Sequence, residues 1–159
     1  MIFPEHIYRF MYAALTEAAK AIDADEVPIG AVVVYQNKII GRGYNQTEML
    51  KDSTAHAEMV AITAASNHLQ SKFLNECDLY VTVEPCVMCS GAILLSRVKN
   101  LYFGAFEPKF GACGSLFNIA ESEKYNHKLN VFSGVYADEA KSLMENYFRM
   151  KRKSEDHKS

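Results

Sequence analysis

A chain of 159 residues, 49% apolar and 23% charged, is too apolar to be disordered, and a single domain of this size buries about 70% of its unfolded surface. The formal net charge of −2 excludes a globally basic nucleic-acid binder and leaves room only for a local basic patch. No run is long and apolar enough for a signal peptide or a membrane span, so the expectation is one cytoplasmic domain over residues 1–159 with no membrane partner.

Ile7, Phe10, Met11, Ala14, Leu15, Ala18, Ala19 and Ile22 recur at helical spacing and predict an amphipathic helix over 5–23 whose stripe is core. Asp23–Glu26 reads as a polar turn. Val27–Tyr35, the turn Gln36-Asn37-Lys38 and Ile39–Gly43 read as a β-hairpin. Pro28 belongs at a strand start or an edge, Gly30 invites close approach of a backbone or a ligand, and Gly41 with Gly43 predicts an irregular second strand. Tyr44–Asp52 is a polar loop in which Asn45 suits an Asx turn. Ser53 or Thr54 then caps an alanine-rich helix running from Ala55 to about Asn67, with His56 in its first turn and Glu58 two residues on.

Leu79–Val83 is short, apolar and β-branched and predicts a buried strand. Pro85 fits the first position of a following helix, so Cys86 and Cys89 share one face of its first turn. A helix N-terminus favours thiolate over thiol by ~0.3–1 kcal/mol. Asn100–Gly104 reads as the next strand, and the strand–helix–strand order calls for a right-handed crossover and parallel pairing. Residues 105–129 are turn-rich, with Gly111 and Gly114 flanking Cys113, a short helix around Leu116–Glu121, and Asn126 and His127 in a polar link. Leu129–Val135 reads as the last strand, and Ala137–Arg152 as a helix with Ala140, Leu143, Met144, Tyr147 and Phe148 on one side. Its tail, Arg149–Lys153, carries four basic residues in five, which serves either helix capping and solubility or phosphate binding. Cys77 and Cys113 read as packed free thiols.

One imidazole and two thiolates supply three ligands and leave the fourth tetrahedral position to water, the pattern of a catalytic rather than a structural zinc site. An ion so held lowers the pKa of its water, and Glu58, near the metal without binding it, is placed to shuttle the proton to a ring nitrogen and then to a departing amine. A structural zinc knuckle would need a fourth Cys or His at ligand spacing. A thioredoxin-like dithiol would need neither His56 nor Glu58. His-x-Glu followed by Pro-Cys-x-x-Cys resembles the known signature of zinc-dependent nucleobase deaminases.

Beyond that signature, the chain resembles the bacterial tRNA-specific adenosine deaminases of the cytidine-deaminase-like superfamily. The resemblance runs through Glu26-Val27-Pro28, Gly41-x-Gly43-Tyr44-Asn45, Thr54-Ala-His-Ala-Glu58, Glu84-Pro-Cys-Val-Met-Cys89, Gly111-Ala-Cys-Gly-Ser115-Leu, Asn126-His127, Ala137-Asp-Glu and Phe148-Arg-Met-Lys-Arg152. It implies a three-layer α/β/α fold whose central mixed sheet has about five strands. It also implies deamination of adenosine to inosine at the wobble position of a tRNA anticodon loop, in a homodimer with one Zn²⁺ per subunit. His56, Cys86 and Cys89 would bind the zinc, and Glu58 would be the proton shuttle. Asn45 and the Ala57 N–H would hold the flipped nucleoside. Glu26, Pro28, Glu107, Asn126, Phe148, Arg149, Lys151 and Arg152 would line the RNA path. Four positions depart from the family's habit: Ile22, Ser53, Glu107 for a usual Asp, and bulky Phe110 for a small residue or Thr. A deaminase of free cytosine, guanine or a nucleotide would share every zinc residue. The basic tail and the Gly-Ala-Cys-Gly-Ser loop favour RNA, and Glu58 speaks against a non-catalytic zinc or RNA-binding module.

Overall fold

The computed structural model of the protein describes residues 2–158. Helix α1 (Glu5–Asp23) buries Ile7, Phe10, Met11, Ala14 and Ala18 of the predicted stripe. Ala19 and Ile22 stay exposed. Glu17 takes a buried place instead, with Lys20 at 2.8 Å and Arg42 at 3.6 Å from its carboxylate. The hairpin comprises β1 (Gly30–Tyr35) and β2 (Lys38–Tyr44). Its two-residue turn, Gln36-Asn37, has φ of +50° and +63°, the handedness that matches the twist of the flanking strands. Val27–Ile29 lie before the strand rather than in it, which keeps Pro28 out of the ladder.

The remaining elements are α2 (Thr47–Leu50), a single turn inside the expected loop, α3 (Ala57–Leu69), β3 (Cys77–Val83), α4 (Val87–Leu95), β4 (Asn100–Ala105), β5 (Asn130–Phe132) and α5 (Ala137–Asp156). The five strands lie in the order β2-β1-β3-β4-β5. β1 is antiparallel to β2 and β3, whereas β3, β4 and β5 are parallel, so the sheet is mixed and α4 is the crossover between parallel neighbours. On one face Val33, Leu79, Val81, Leu101 and Phe103 pack with Ala61, Ala65 and Ile93 of α3 and α4. On the other, Val32, Val34 and Tyr80 meet α1, and Gly104 lies against Ala140 of α5. This is the expected three-layer α/β/α arrangement.

Two glycines set how closely α3 approaches. A Cβ at Gly41 would run into the Ala61 carbonyl, and one at Gly43 into the Ala57 carbonyl. The helix backbone therefore rests directly on β2, which fixes the height of its N-terminus above the sheet. The irregularity expected of β2 is limited to the step between Val33 and Val34 of its partner, where Ile40 is passed over.

Two predicted elements in the C-terminal half differ from the expectation. No helix forms over Leu116–Glu121. Gly114, at φ +140°, turns the chain back so that Cys113 bridges Asn118, and Asn118 Oδ1 accepts the Glu121 N–H at 3.3 Å. The last strand covers only Asn130–Phe132, because Gly134 (φ +88°) and Tyr136 (φ +54°) bend the chain into α5.

Candidate active site

At the end of β3 the chain turns through Glu84-Pro85 into α4. Cys86 has extended backbone (φ −76°, ψ 178°), and its carbonyl accepts the Ser90 N–H at 2.9 Å. Cys86 is therefore the N-cap residue, Pro85 stands just outside the helix, and Cys89 sits in its third position. α3 begins the same way. His56 (φ −76°, ψ 155°) is the N-cap, and its carbonyl accepts the Val60 N–H at 3.1 Å. The capping expected of Ser53 or Thr54 is displaced. Asp52 Oδ1 accepts both the Thr54 N–H (2.8 Å) and its hydroxyl (2.7 Å), and the Ser53 backbone beside the His56 ring favours its charged form.

His56 Nδ1 lies 3.6 Å from Cys86 Sγ and 3.5 Å from Cys89 Sγ, and the three donor atoms fall within 4.8 Å of one another. Zinc bonds of about 2.3 Å to sulfur and 2.0–2.1 Å to nitrogen, at a tetrahedral angle, put sulfur and nitrogen about 3.6 Å apart. The donor set thus fits a zinc-sized ion. The three donors also share protons with one another. The Cys86 thiol is lowered to about 4, chiefly by the hydrogen bond from Cys89, whose own proton is held tightly by that bond and by burial. His56 is raised, first by its bond to Cys86. Glu58, in the second position of α3 and 4% exposed, is lifted by burial to about 7.

These groups open into a cleft of about 1150 Å³. Asn45 reaches it from the end of β2. Its N–H donates to the Ile29 carbonyl at 3.1 Å, while its side-chain Oδ1 is buried with no partner among the described residues. Ala57, Glu107, Phe148, Arg149 and Arg152 also line the cleft. Other expected residues stand elsewhere. Glu26 has no exposed surface, and its Oε1 accepts the Glu48 N–H at 2.8 Å, so it braces α2 from within. Pro28 is buried between the two lining residues Val27 and Ile29. Asn126 is exposed and does not line the cleft. Lys151 points away, 2.9 Å from Asp25 Oδ2.

Sequence reading missed Lys109, Met144 and Glu145 among the lining residues, and it missed what Glu84 does. Glu84 is 4% exposed. Its carboxylate accepts the backbone N–H groups of Glu107 (3.0 Å), Cys113 (3.0 Å) and Ser115 (2.9 Å), and also the Ser115 hydroxyl. One side chain next to the Pro85-Cys86 corner thus ties down the loop that follows β4. The only signal in the sequence is an acid in an otherwise apolar strand end. Glu84→Ala leaves one buried and two part-buried N–H groups without their acceptor and is expected to lower stability by about 3 kcal/mol, whereas Glu84→Gln keeps an acceptor and loses less. Urea unfolding midpoints of the two variants check this order.

A family model described as MafB19-like deaminase matches residues 6–152. The tRNA-specific adenosine deaminase of Bacillus subtilis (strain 168) is 46% identical over 144 residues, which cover 91% of this chain and 89% of that protein. Its namesake in Aquifex aeolicus (strain VF5) is 43% identical over 143 residues, 90% of this chain and 94% of that one. A structure from studies of A-to-I editing by tRNA:A34 deaminases at the wobble position superposes with a TM-score of 0.82 at 43% identity, over 85% of this chain and 98% of that one. The guanine deaminase of Nitrosomonas europaea superposes at 0.74 and 27% identity, over 88% of this chain and 83% of that one.

Proposed function

Because this chain belongs to the family of MafB19-like and tRNA-specific adenosine deaminases, we propose that it hydrolyses adenosine to inosine at the wobble position of a tRNA anticodon loop. The observation that carries the reading is a buried carboxylic acid, Glu58, beside an imidazole and two sulfurs at tetrahedral spacing, in one cleft with the unpartnered Asn45 Oδ1. The cleft also exceeds the roughly 300–1000 Å³ usual for small-molecule sites, which suits a nucleotide still joined to its neighbours.

His56, Cys86 and Cys89 would hold one Zn²⁺, which would lower the pKa of water and so supply a nucleophile at neutral pH. Asn45 Oδ1 accepts a hydrogen bond from the flipped nucleoside, and the helix start at Ala57 faces the base. Glu58 takes the water's proton on a carboxylate oxygen, gives it to the ring nitrogen beside the reacting carbon, and then moves a proton to the departing amine. Water adds, ammonia leaves and a carbonyl remains. Glu58's burial keeps bulk water from competing for that proton.

Glu107, Phe148, Arg149 and Arg152 guide the anticodon loop at the cleft. Lys151 acts at one remove by fastening α5 to Asp25, while Glu26 and Pro28 shape the loop beneath the substrate. Asn126 meets RNA outside the cleft. The chain works as one zinc-dependent deaminase domain in a homodimer. Exposed Val87 and Leu95 on α4, with Phe106 and Phe117 on the neighbouring loop, offer the apolar surface for a second copy that borders the site. No helix among the described residues is long and apolar enough to cross a membrane, and the place of work is the cytoplasm, where tRNA is found.

The test is incubation of the zinc-loaded protein with an anticodon stem-loop bearing adenosine at the wobble position, and separately with free adenosine, cytidine, cytosine and guanine. Inosine in the stem-loop and no ammonia from the free compounds is expected. Ammonia from a free base with an untouched stem-loop overturns the reading. Arg149→Ala with Arg152→Ala is expected to weaken stem-loop binding and to flatten the slope of log affinity against log salt by about 1.4, two single-strand phosphate contacts' worth. An unchanged slope returns these arginines to a solubility role.

A further inference from the structure

The loop after β4 presents Phe110 at the cleft with its side chain 66% exposed. Isolated exposed aromatics are ordinary, but this one stands on a braced support. Glu84 fixes the loop at Glu107 on one side and at Cys113 and Ser115 on the other. The Gly111 N–H donates to the Glu107 carbonyl at 2.8 Å and closes the turn that carries Phe110. A side chain at Gly111 would run into the Glu84 carboxylate, so the turn sits directly on its brace. The backbone that carries the ring is therefore held in place, and Phe110 lines the same cleft as His56, Asn45, Arg149 and Arg152.

We propose that Phe110 is a stacking platform for the unpaired base adjacent to the target nucleotide, and so a specificity-determining residue of the reaction. The proposal rests on the RNA reading given above. Flipping a nucleotide into the metal site breaks the stack on both of its neighbours. A fixed aromatic face at the cleft replaces one of those lost stacks, while the arginines neutralise the backbone, the pairing of groups found where single strands are bound. A free base or nucleoside has no neighbour and gains nothing from the ring. The same ring covered by a second copy of this chain is the rival outcome.

The chain contains no tryptophan, so Phe110→Trp creates a single emission reporter. In a Glu58→Ala background, where turnover is removed, its fluorescence is expected to be quenched saturably by the stem-loop and not by free adenosine. In otherwise unaltered zinc-loaded protein, Phe110→Ala is expected to raise KM for the stem-loop about tenfold with kcat little changed. Phe110→Leu, apolar but without the ring face, is expected to fall close to the alanine variant. Removing the neighbouring base from the stem-loop is expected to raise KM of the parent protein by a similar factor and to cost Phe110→Ala nothing further. An unchanged KM, losses from the abasic site and from Phe110→Ala that simply multiply, or a Phe110→Ala protein that sediments as a smaller species overturns the proposal. Failure of the underlying RNA reading looks different: the parent protein itself leaves every stem-loop free of inosine.

Discussion

Glu58→Gln is expected to lower inosine formation at least about a thousandfold while zinc content and stem-loop affinity stay near those of the parent. Glutamine fills the same buried space in the first turn of α3, so the fold has no reason to move, but it has no proton to pass between water, ring nitrogen and amine. Turnover assayed alongside metal content separates this from loss of the ion; near-normal turnover removes the proton-shuttle role altogether. A second consequence concerns stability. Burial raises the Glu58 carboxyl from 4.5 to about 7, so the folded chain binds more protons at this group than the unfolded chain does between those values. The stability tied to the protonated acid is complete below about pH 4.5 and is lost as pH rises through about 7. In metal-free protein, Glu58→Gln is therefore expected to gain about 2 kcal/mol on the parent between pH 4.5 and pH 7. Denaturant unfolding at the two pH values measures it, and an equal difference at both would mean that burial puts no strain on this acid.

That Glu58 stands on a first helical turn is also why the candidate metal site could be sought in the sequence. His56, Glu58, Cys86 and Cys89 belong to two short motifs whose spacing is set by the helix itself. The hairpin, the crossover and the outer helices were legible for a similar reason, since periodicity and turn chemistry are local. Whatever depended on which partner a side chain finds in the folded chain was not. Ser53 and Thr54 are good capping residues, but Asp52 takes Thr54's donors and His56 moves into the cap. Leu116–Glu121 is apolar enough for a helix, yet the glycine at 114 and the Glu84 carboxylate hold the preceding loop in a shape that does not lead into one. Gly41 and Gly43 reserve space for a helix that arrives later in the chain. Glu26 and Lys151 share sequence motifs with cleft residues but differ from them in burial or ion pairing, and Asn126 lies outside the cleft altogether, none of which a motif encodes.

Removing the metal is expected to abolish inosine formation completely and reversibly while leaving most of the fold in place. The three donors join only the first residues of α3 and α4, whereas the layer beneath them is closed by Val33, Leu79, Val81, Ile93 and Phe103 without their help. Chelation should therefore lower the melting temperature, because an ion bound only by the folded state stabilises it by mass action, and yet preserve helical and strand content. Calorimetry and circular dichroism before and after chelation, with activity restored by added Zn²⁺, test both halves. Replacing one ligand sharpens the distinction. Cys86→Ser is expected to lose zinc and activity with little further loss of stability, since Cys86 is partly exposed at the cap. Cys89→Ser places a hydroxyl at a fully buried site among α4's core contacts and should cost more, of the order of 1–3 kcal/mol beyond the lost metal. Equal destabilisation by the two would mean that the ion, and not the packing around Cys89, dominates. A chelated protein that unfolds outright would turn the site from a catalytic centre resting on a finished core into part of the core itself.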